Sequence, residues 1–127
     1  MAFAGKWELG IDLLEKTMNI NPYSHMKGWL HFAKATNYFQ RGEYQEASTE
    51  IKQTPFRFPA AQINNIAIHA ESGHQENAIA ALKEALSSNP MFQENARTQL
   101  EHFYPGNEKL HDQLIEGMKK AASWIED

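Results

Sequence analysis

The chain has 127 residues, no cysteine and a formal net charge of −4, which predicts one domain and excludes disulfides, thiolate metal ligands and a thiol nucleophile. The longest basic run is Lys119-Lys120, so direct nucleic-acid binding is disfavoured, because phosphate recognition needs a clustered basic footprint. No apolar run approaches the roughly 20 residues that span a bilayer, and the N-terminus lacks the apolar core of a signal peptide, so we expect a soluble, cytoplasmic protein.

One pattern recurs three times along the chain, with Gly and Pro standing 17 residues apart in 5–22, 42–59 and 73–90. Gly can take a positive φ in a tight turn, and Pro cannot continue a helix, so we predict a helix between them. A small residue five positions after Gly and a large aliphatic residue nine positions after it share one helix face. These pairs are Gly10 and Leu14, Ala47 and Ile51, and Ala78 and Leu82.

The segment before each of the later Gly residues is also predicted to be helical. Residues three, six, seven and ten positions before Gly are mostly apolar, a helical stripe in one register. The stripes are Phe39, Thr36, Ala35 and Phe32; then Ala70, Ala67, Ile66 and Ile63; then Phe103, Leu100, Gln99 and Ala96. Each unit is therefore a helix A, a Gly turn, a helix B and a Pro. Successive Gly turns are 37, 31 and 33 residues apart, and periods in this range indicate an α-solenoid.

The predicted fold is thus an all-α solenoid of antiparallel helix pairs within a single domain, with about seven helices. It contains a half repeat over 1–22, complete repeats over 23–59 and 60–90, and a degenerate capping repeat over 91–127. The final helix is charged on the side opposite its apolar face, as a solenoid cap requires. Its apolar face comprises Leu110, Leu114, Met118, Ala121 and Ile125.

The first helix B carries two apolar stripes on opposite sides, whereas the later repeats are mostly polar at the second stripe. That stripe consists of Leu9, Leu13 and Ile20. A helix that is apolar on two sides is normally covered on both. Because the chain opens in mid-repeat, we expect this stripe to contact upstream helices of a longer protein or a second copy in a homodimer.

Two segments resemble the tetratricopeptide repeat (TPR). The family's Gly-acidic-Tyr-x-x-Ala signature is matched by GEYQEA at 42–47, and its helix-B pattern by Ala78, Leu82, Ala85 and Pro90. The sequence departs from the family at Thr54, at Gly10 and Thr17, and by one residue missing before each Gly. The resemblance covers the whole chain and implies a protein-interaction domain.

A narrower resemblance concerns 28–47 and 103–121. These segments are similar to repeat regions at the C-terminus of bacterial adenylate/guanylate cyclase-like proteins and of related winged-helix regulators, whose last helix ends in a pattern like LIEGMKKA at 114–121. Cyclase chemistry needs metal-binding aspartates on an α/β scaffold, which an all-helical chain does not provide. The resemblance therefore implies a non-catalytic appendage of a cyclase-like signalling protein.

No residue pattern indicates catalysis or a cofactor. The six histidines form no HExxH or His-x-x-x-His pair, and phosphate-binding Gly loops and a nucleophile elbow are absent. We therefore expect no metal, no cofactor and no enzyme activity, with His69, His74, His102 and His111 beside turns and partly solvated. Among the aromatic residues, Phe32 and Phe39 are expected in the core, while Trp29 and Tyr38 suit either the core or a ligand contact.

The sequence therefore predicts a module that binds a protein or peptide in a groove lined by the A helices, where amides and cations suit an extended peptide with carboxylates. The residues predicted to face this groove are Lys34, Asn37, Arg41, Asn64, Asn65, Ile68 and Arg97. The alternative is a regulatory or dimerisation domain of a winged-helix transcriptional regulator, which has the same fold.

Overall fold

The structure, a computed structural model, describes residues 26–54 and 58–126. Within these ranges the chain forms six α-helices and no strand, which confirms the all-α class for this part of the protein. The helices are α1 (Met26–Gln40), α2 (Tyr44–Ile51), α3 (Pro59–Glu71), α4 (Gln75–Ser88), α5 (Phe92–Phe103) and α6 (Glu108–Glu126). The predicted half repeat over 1–22, with Leu9, Leu13 and Ile20, lies outside the described residues.

Glycine turns close the helix pairs as the sequence predicts. Gly42, Gly73 and Gly106 have φ values of +78°, +81° and +78°, a region that side chains disfavour. After Gly42, the Glu43 N–H donates to the Tyr38 carbonyl at 2.9 Å, and after Gly73 the His74 N–H donates to the His69 carbonyl at 2.9 Å. The same six-residue bond therefore ends α1 and α3, as in a Schellman motif.

The first two helix pairs bury the same positions. Ala47 and Ile51 of α2, and Ala78 and Leu82 of α4, are all buried, which confirms the predicted small and large residues of helix B. The A-helix stripes are buried as well. They comprise Phe32, Ala35, Thr36 and Phe39 in α1, and Ile63, Ile66, Ala67 and Ala70 in α3.

The two hairpins stack with their A helices parallel. Trp29, near the start of α1, has its ring centroid 5.8 Å from that of Phe58, just before α3. Further along, Thr36 Oγ1 lies 3.2 Å from Asn64 Oδ1, so the residue numbers rise together on both helices. Trp29 is half-buried and its ring also stacks on Phe103 at 6.4 Å, so it belongs to the packing of the fold.

Helix α3 is the centre of the described part of the protein. It contacts all five other helices, and nine of its thirteen residues are buried. This central position explains why polar residues of α3 that the sequence predicts on a surface lie in the core instead.

The third helix pair packs differently from the first two, because α6 lies more extensively on α3 than on its hairpin partner α5. A Cβ on Gly117 would lie 2.7 Å from the Ala67 Cβ, and one turn later Lys120 pairs with Glu71. These contacts show that α6 runs parallel to α3. It also contacts α4, so α6 packs against both helices of the second pair.

One predicted helix boundary is wrong. Pro59 was expected to end the helix B of the repeat over 23–59, but α2 already ends at Ile51 and Pro59 is the first residue of α3. Proline suits the first helical turn, because its missing N–H has no partner there in any helix. Pro90 does follow the end of α4 at Ser88, as predicted. In the described residues, no helix combines the length and apolar character that crossing a membrane requires.

Candidate functional site

Three of the predicted groove residues form one surface, which we call the α1 face: Lys34 and Asn37 of α1, and Arg41 directly after its end. Lys34, Asn37 and Arg41 follow each other at spacings of three and four residues, which brings side chains together on a helix. Lys34 and Asn37 are half-buried, and Arg41 is exposed. The Arg41 Nε lies 3.2 Å from a carboxylate oxygen of Glu43, and its guanidinium carbon is 5.4 Å from the centroid of the Tyr38 ring. Exposed pairs of this kind contribute little, so another carboxylate can replace Glu43.

Two of the predicted groove residues, Asn64 and Ile68, are in the core instead. Both have 0% exposure, so neither side chain can line an open groove in this structure. The physical reason is the central place of α3, which neighbouring helices cover on its several faces.

Asn64 belongs to a buried polar cluster with Thr36 and Tyr104. Its Nδ2 donates to the Tyr104 hydroxyl at 2.8 Å and to the Ala60 carbonyl at 2.8 Å. Thr36 Oγ1 lies 3.4 Å from the Tyr104 hydroxyl. Burial raises the pKa of Tyr104 well above its usual value, so the phenol stays protonated and holds the helices together.

The remaining predicted groove residues lie in two other places. Arg97, on α5, is exposed and its Nη2 pairs with Asp112 of α6 at 2.8 Å. Asn65 is half-buried on the side of α3 that faces the space between α2 and α4. The predicted set is therefore divided between the α1 face, the core, the α5–α6 pair and a groove over α3.

Two histidines predicted to be partly solvated are buried, namely His69 at 4% and His111 at 1% exposure. His111 replaces the small residue of the other helix pairs, and its Nε2 donates to the Tyr104 carbonyl at 2.8 Å. His69 Nδ1 lies 3.3 Å from His74 Nδ1. Burial, with smaller contributions from the charges of His74 and Lys52, lowers the pKa of His69 to about 4, so it is neutral at pH 7.

A polar groove, which we call the α2–α4 groove, crosses α3 between the C-terminal end of α2 and the side of α4. Its more enclosed part is a cavity of about 220 Å³. Side chains that line this cavity include Lys52, Thr54, Gln62, Asn65, Ala81 and Glu84. The groove continues toward the Gly73 turn past His69, Glu76 and Asn77.

Several polar groups of the α2–α4 groove lack partners within the described part of the chain. The side-chain amides of Gln62 and Asn65 are half-buried, and neither hydrogen-bonds to any residue in 26–54 or 58–126. The exposed carboxylates of Glu76 and Glu84 likewise form no ion pair within these ranges. Of these residues only Asn65 was predicted. The missed signal is the polar row of Gln62, Asn65 and His69, at i, i+3 and i+7 on a mostly apolar helix.

The α1 face and the α2–α4 groove are therefore the two candidate interaction surfaces of the described part. Among these residues no group of three or more His, Asp or Glu side chains is arranged to hold a metal ion. Comparisons of the chain with protein-family models, curated proteins and solved structures gave no match. Function must therefore be inferred from the chain's own residues.

Proposed function

We propose that the chain is a non-catalytic protein-interaction module of the TPR type, in which helix pairs stack as a solenoid. The observation that carries this proposal is the shared turn and helix-B burial pattern of the first two hairpins. Each ends its helix A with a positive-φ Gly and the same six-residue bond, and each buries a small and a large residue four positions apart in helix B. Hairpins repeated in this way build extended surfaces that suit peptides.

The interaction surface we propose is the α1 face, and the partner is an extended acidic peptide. Lys34 and Arg41 supply cations for carboxylates, and Asn37 between them supplies an amide for the peptide backbone. Arg41 already holds the Glu43 carboxylate, which is the group that a peptide carboxylate would replace. Arg97 also holds a carboxylate, that of Asp112, but on the separate α5–α6 pair.

We further propose that this module is the regulatory region of a bacterial adenylate/guanylate cyclase-like signalling protein. The support is the resemblance of 114–121 to the end of such regions, together with the burial of Leu114, Met118 and Ala121 and the close approach of Gly117 to α3. Reading the coding sequence upstream of Met1 tests this. A cyclase catalytic domain upstream supports the proposal, and a winged-helix domain supports the alternative. If the upstream sequence encodes neither domain, both are refuted.

Selection from a display library of random linear peptides tests the interaction function. Peptides selected on the purified chain should be enriched in Asp and Glu. The double variant Lys34→Glu/Arg41→Glu should fold normally. Its affinity for the selected peptides should fall about tenfold or more, since two attractive contacts become repulsive. Lys83→Glu is the matched control, because Lys83 is exposed on α4. Selection of peptides without carboxylates, or equal losses in both variants, would refute this surface.

A further inference from the structure

We propose that the α2–α4 groove is a second binding site, which takes an extended peptide segment carrying a lysine or arginine side chain. This site is separate from the α1 face, and its partner has the opposite charge. It therefore goes beyond the function proposed above, and either site can fail its test without the other.

The shape of the groove suits an extended chain. The cavity of about 220 Å³ shares Asn65, Ala81 and Glu84 with the more open stretch toward the Gly73 turn, so the groove is continuous. Along its floor, α3 runs from Ala61 to His69, a rise of about 12 Å at roughly 1.5 Å per residue. That length accommodates about four residues of extended peptide at roughly 3.3 Å each.

The floor and wall offer amides rather than apolar pockets. Gln62 and Asn65 project from α3, and Asn77 lies on α4. Each side-chain amide combines a donor and an acceptor, so it can pair with both the N–H and the C=O of a peptide backbone. None of the three is hydrogen-bonded through its side chain to the described residues. The groups a backbone needs are therefore available without breaking any contact among the described residues.

The charges of the groove favour a basic side chain. Glu76 and Glu84 contribute two carboxylates, whereas Lys52 at the end of α2 contributes one ammonium group. His69 adds no positive charge at neutral pH, because burial keeps it unprotonated. A lysine or arginine of the ligand would therefore gain charge-assisted hydrogen bonds to the α4 carboxylates. An acidic segment would meet like charge there.

Two labelled peptides, acetyl-SKSKSKS-amide and acetyl-SESESES-amide, test the proposal by fluorescence anisotropy with the full chain at low salt. The lysine peptide should bind more tightly than the glutamate peptide. Glu76→Gln/Glu84→Gln should weaken its binding about three- to thirtyfold, since two exposed charge pairs are removed. The control Glu94→Gln/Glu101→Gln, which neutralises two exposed carboxylates of α5, should change binding less than twofold.

A third variant, Ala81→Leu, distinguishes peptide binding in the α2–α4 groove from nonspecific attraction of a basic peptide to an acidic protein. Ala81 is half-buried at the cavity, and Leu is nearly as good a helix former as Ala, so the variant should fold while filling the space. We expect Ala81→Leu to abolish lysine-peptide binding. In the wild type, the amide NMR signals that shift when the lysine peptide is added should cluster at α3 and α4. The proposal is overturned by absent binding of the lysine peptide, by no preference over the glutamate peptide, by equal losses in both carboxylate pairs, or by unchanged binding to folded Ala81→Leu.

Discussion

The side-chain amide of Asn64 donates a hydrogen bond to the hydroxyl of Tyr104 at 2.8 Å, which joins the middle of α3 to the residue that caps α5. Thr36 of α1 completes the cluster, with its hydroxyl 3.2 Å from Asn64 Oδ1 and 3.4 Å from the Tyr104 hydroxyl. All three side chains have 0% exposure. Since a satisfied buried polar network fixes a unique arrangement, this cluster specifies how the third helix pair meets the first two.

Replacing Tyr104 with Phe should destabilise the protein by about 1–3 kcal/mol, because the buried Asn64 amide loses an acceptor. Urea unfolding followed by circular dichroism measures the change. Tyr38→Phe is the matched control, since Tyr38 is half-buried and its hydroxyl bonds to no described residue. Equal stability of the two variants would show that the cluster contributes nothing.

Gly117→Ala should destabilise the protein although alanine favours helices. The added Cβ would lie 2.7 Å from the Ala67 Cβ and 2.9 Å from the Ala67 Cα. Overpacking costs about 1–3 kcal/mol, which is larger than the gain of about 1 kcal/mol in helix propensity. The exchange Gly117→Ala/Ala67→Gly should recover part of the loss in a thermal melt. A single variant more stable than wild type would contradict the close approach of α6 to α3.

Leu82→Ala should cost about 2–5 kcal/mol, because its side chain has 0% exposure and truncation leaves a cavity. The helical circular dichroism signal should be lost in a single transition at a lower midpoint than in wild type, since α4 packs on the central α3. Leu86→Ala, four residues later and half-buried, should cost less. A midpoint for Leu82→Ala within a degree of wild type would count against the predicted helix-B register.

Stability should decrease as the pH falls from about 6.5 to about 4, and His69 should contribute to the decrease. Its pKa is lowered from 6.5 to about 4 in the folded protein, so within this window the unfolded chain binds more protons than the folded one. Acidification therefore favours unfolding, by about 1–3 kcal/mol for this residue.

The measurement is the urea midpoint of wild type, His69→Gln and His102→Gln at pH 7.5 and pH 4.5. His69→Gln should lose less stability on acidification than wild type. His102→Gln should behave as wild type does, because His102 is exposed. A slope in His69→Gln identical to that of wild type would show that His69 is protonated as readily in the folded protein as in the unfolded chain.

The α1 face could be assembled from the sequence, whereas the α2–α4 groove could not. Lys34, Asn37 and Arg41 share a face because of helical spacing alone, so α1 and the residue directly after it are enough to place them. The groove combines Lys52, which follows α2, with Asn65 of α3 and Glu84 of α4, and only the stacking of those helices brings the three residues to one cavity. The same limit explains Asn64, whose burial depends on Tyr104, forty residues further along the chain.

The sequence alone determined the local features of this protein. The positive-φ turn at Gly42, the start of a helix B after it, and the buried stripes of α1 and α3 follow from backbone sterics and helical periodicity, which act over a few residues. The tertiary structure decided that α6 rather than α5 lies along α3, and that Pro59 begins a helix rather than ending one. Those outcomes depend on packing between distant segments, such as Gly117 against Ala67, where the absence of one methyl group permits the contact.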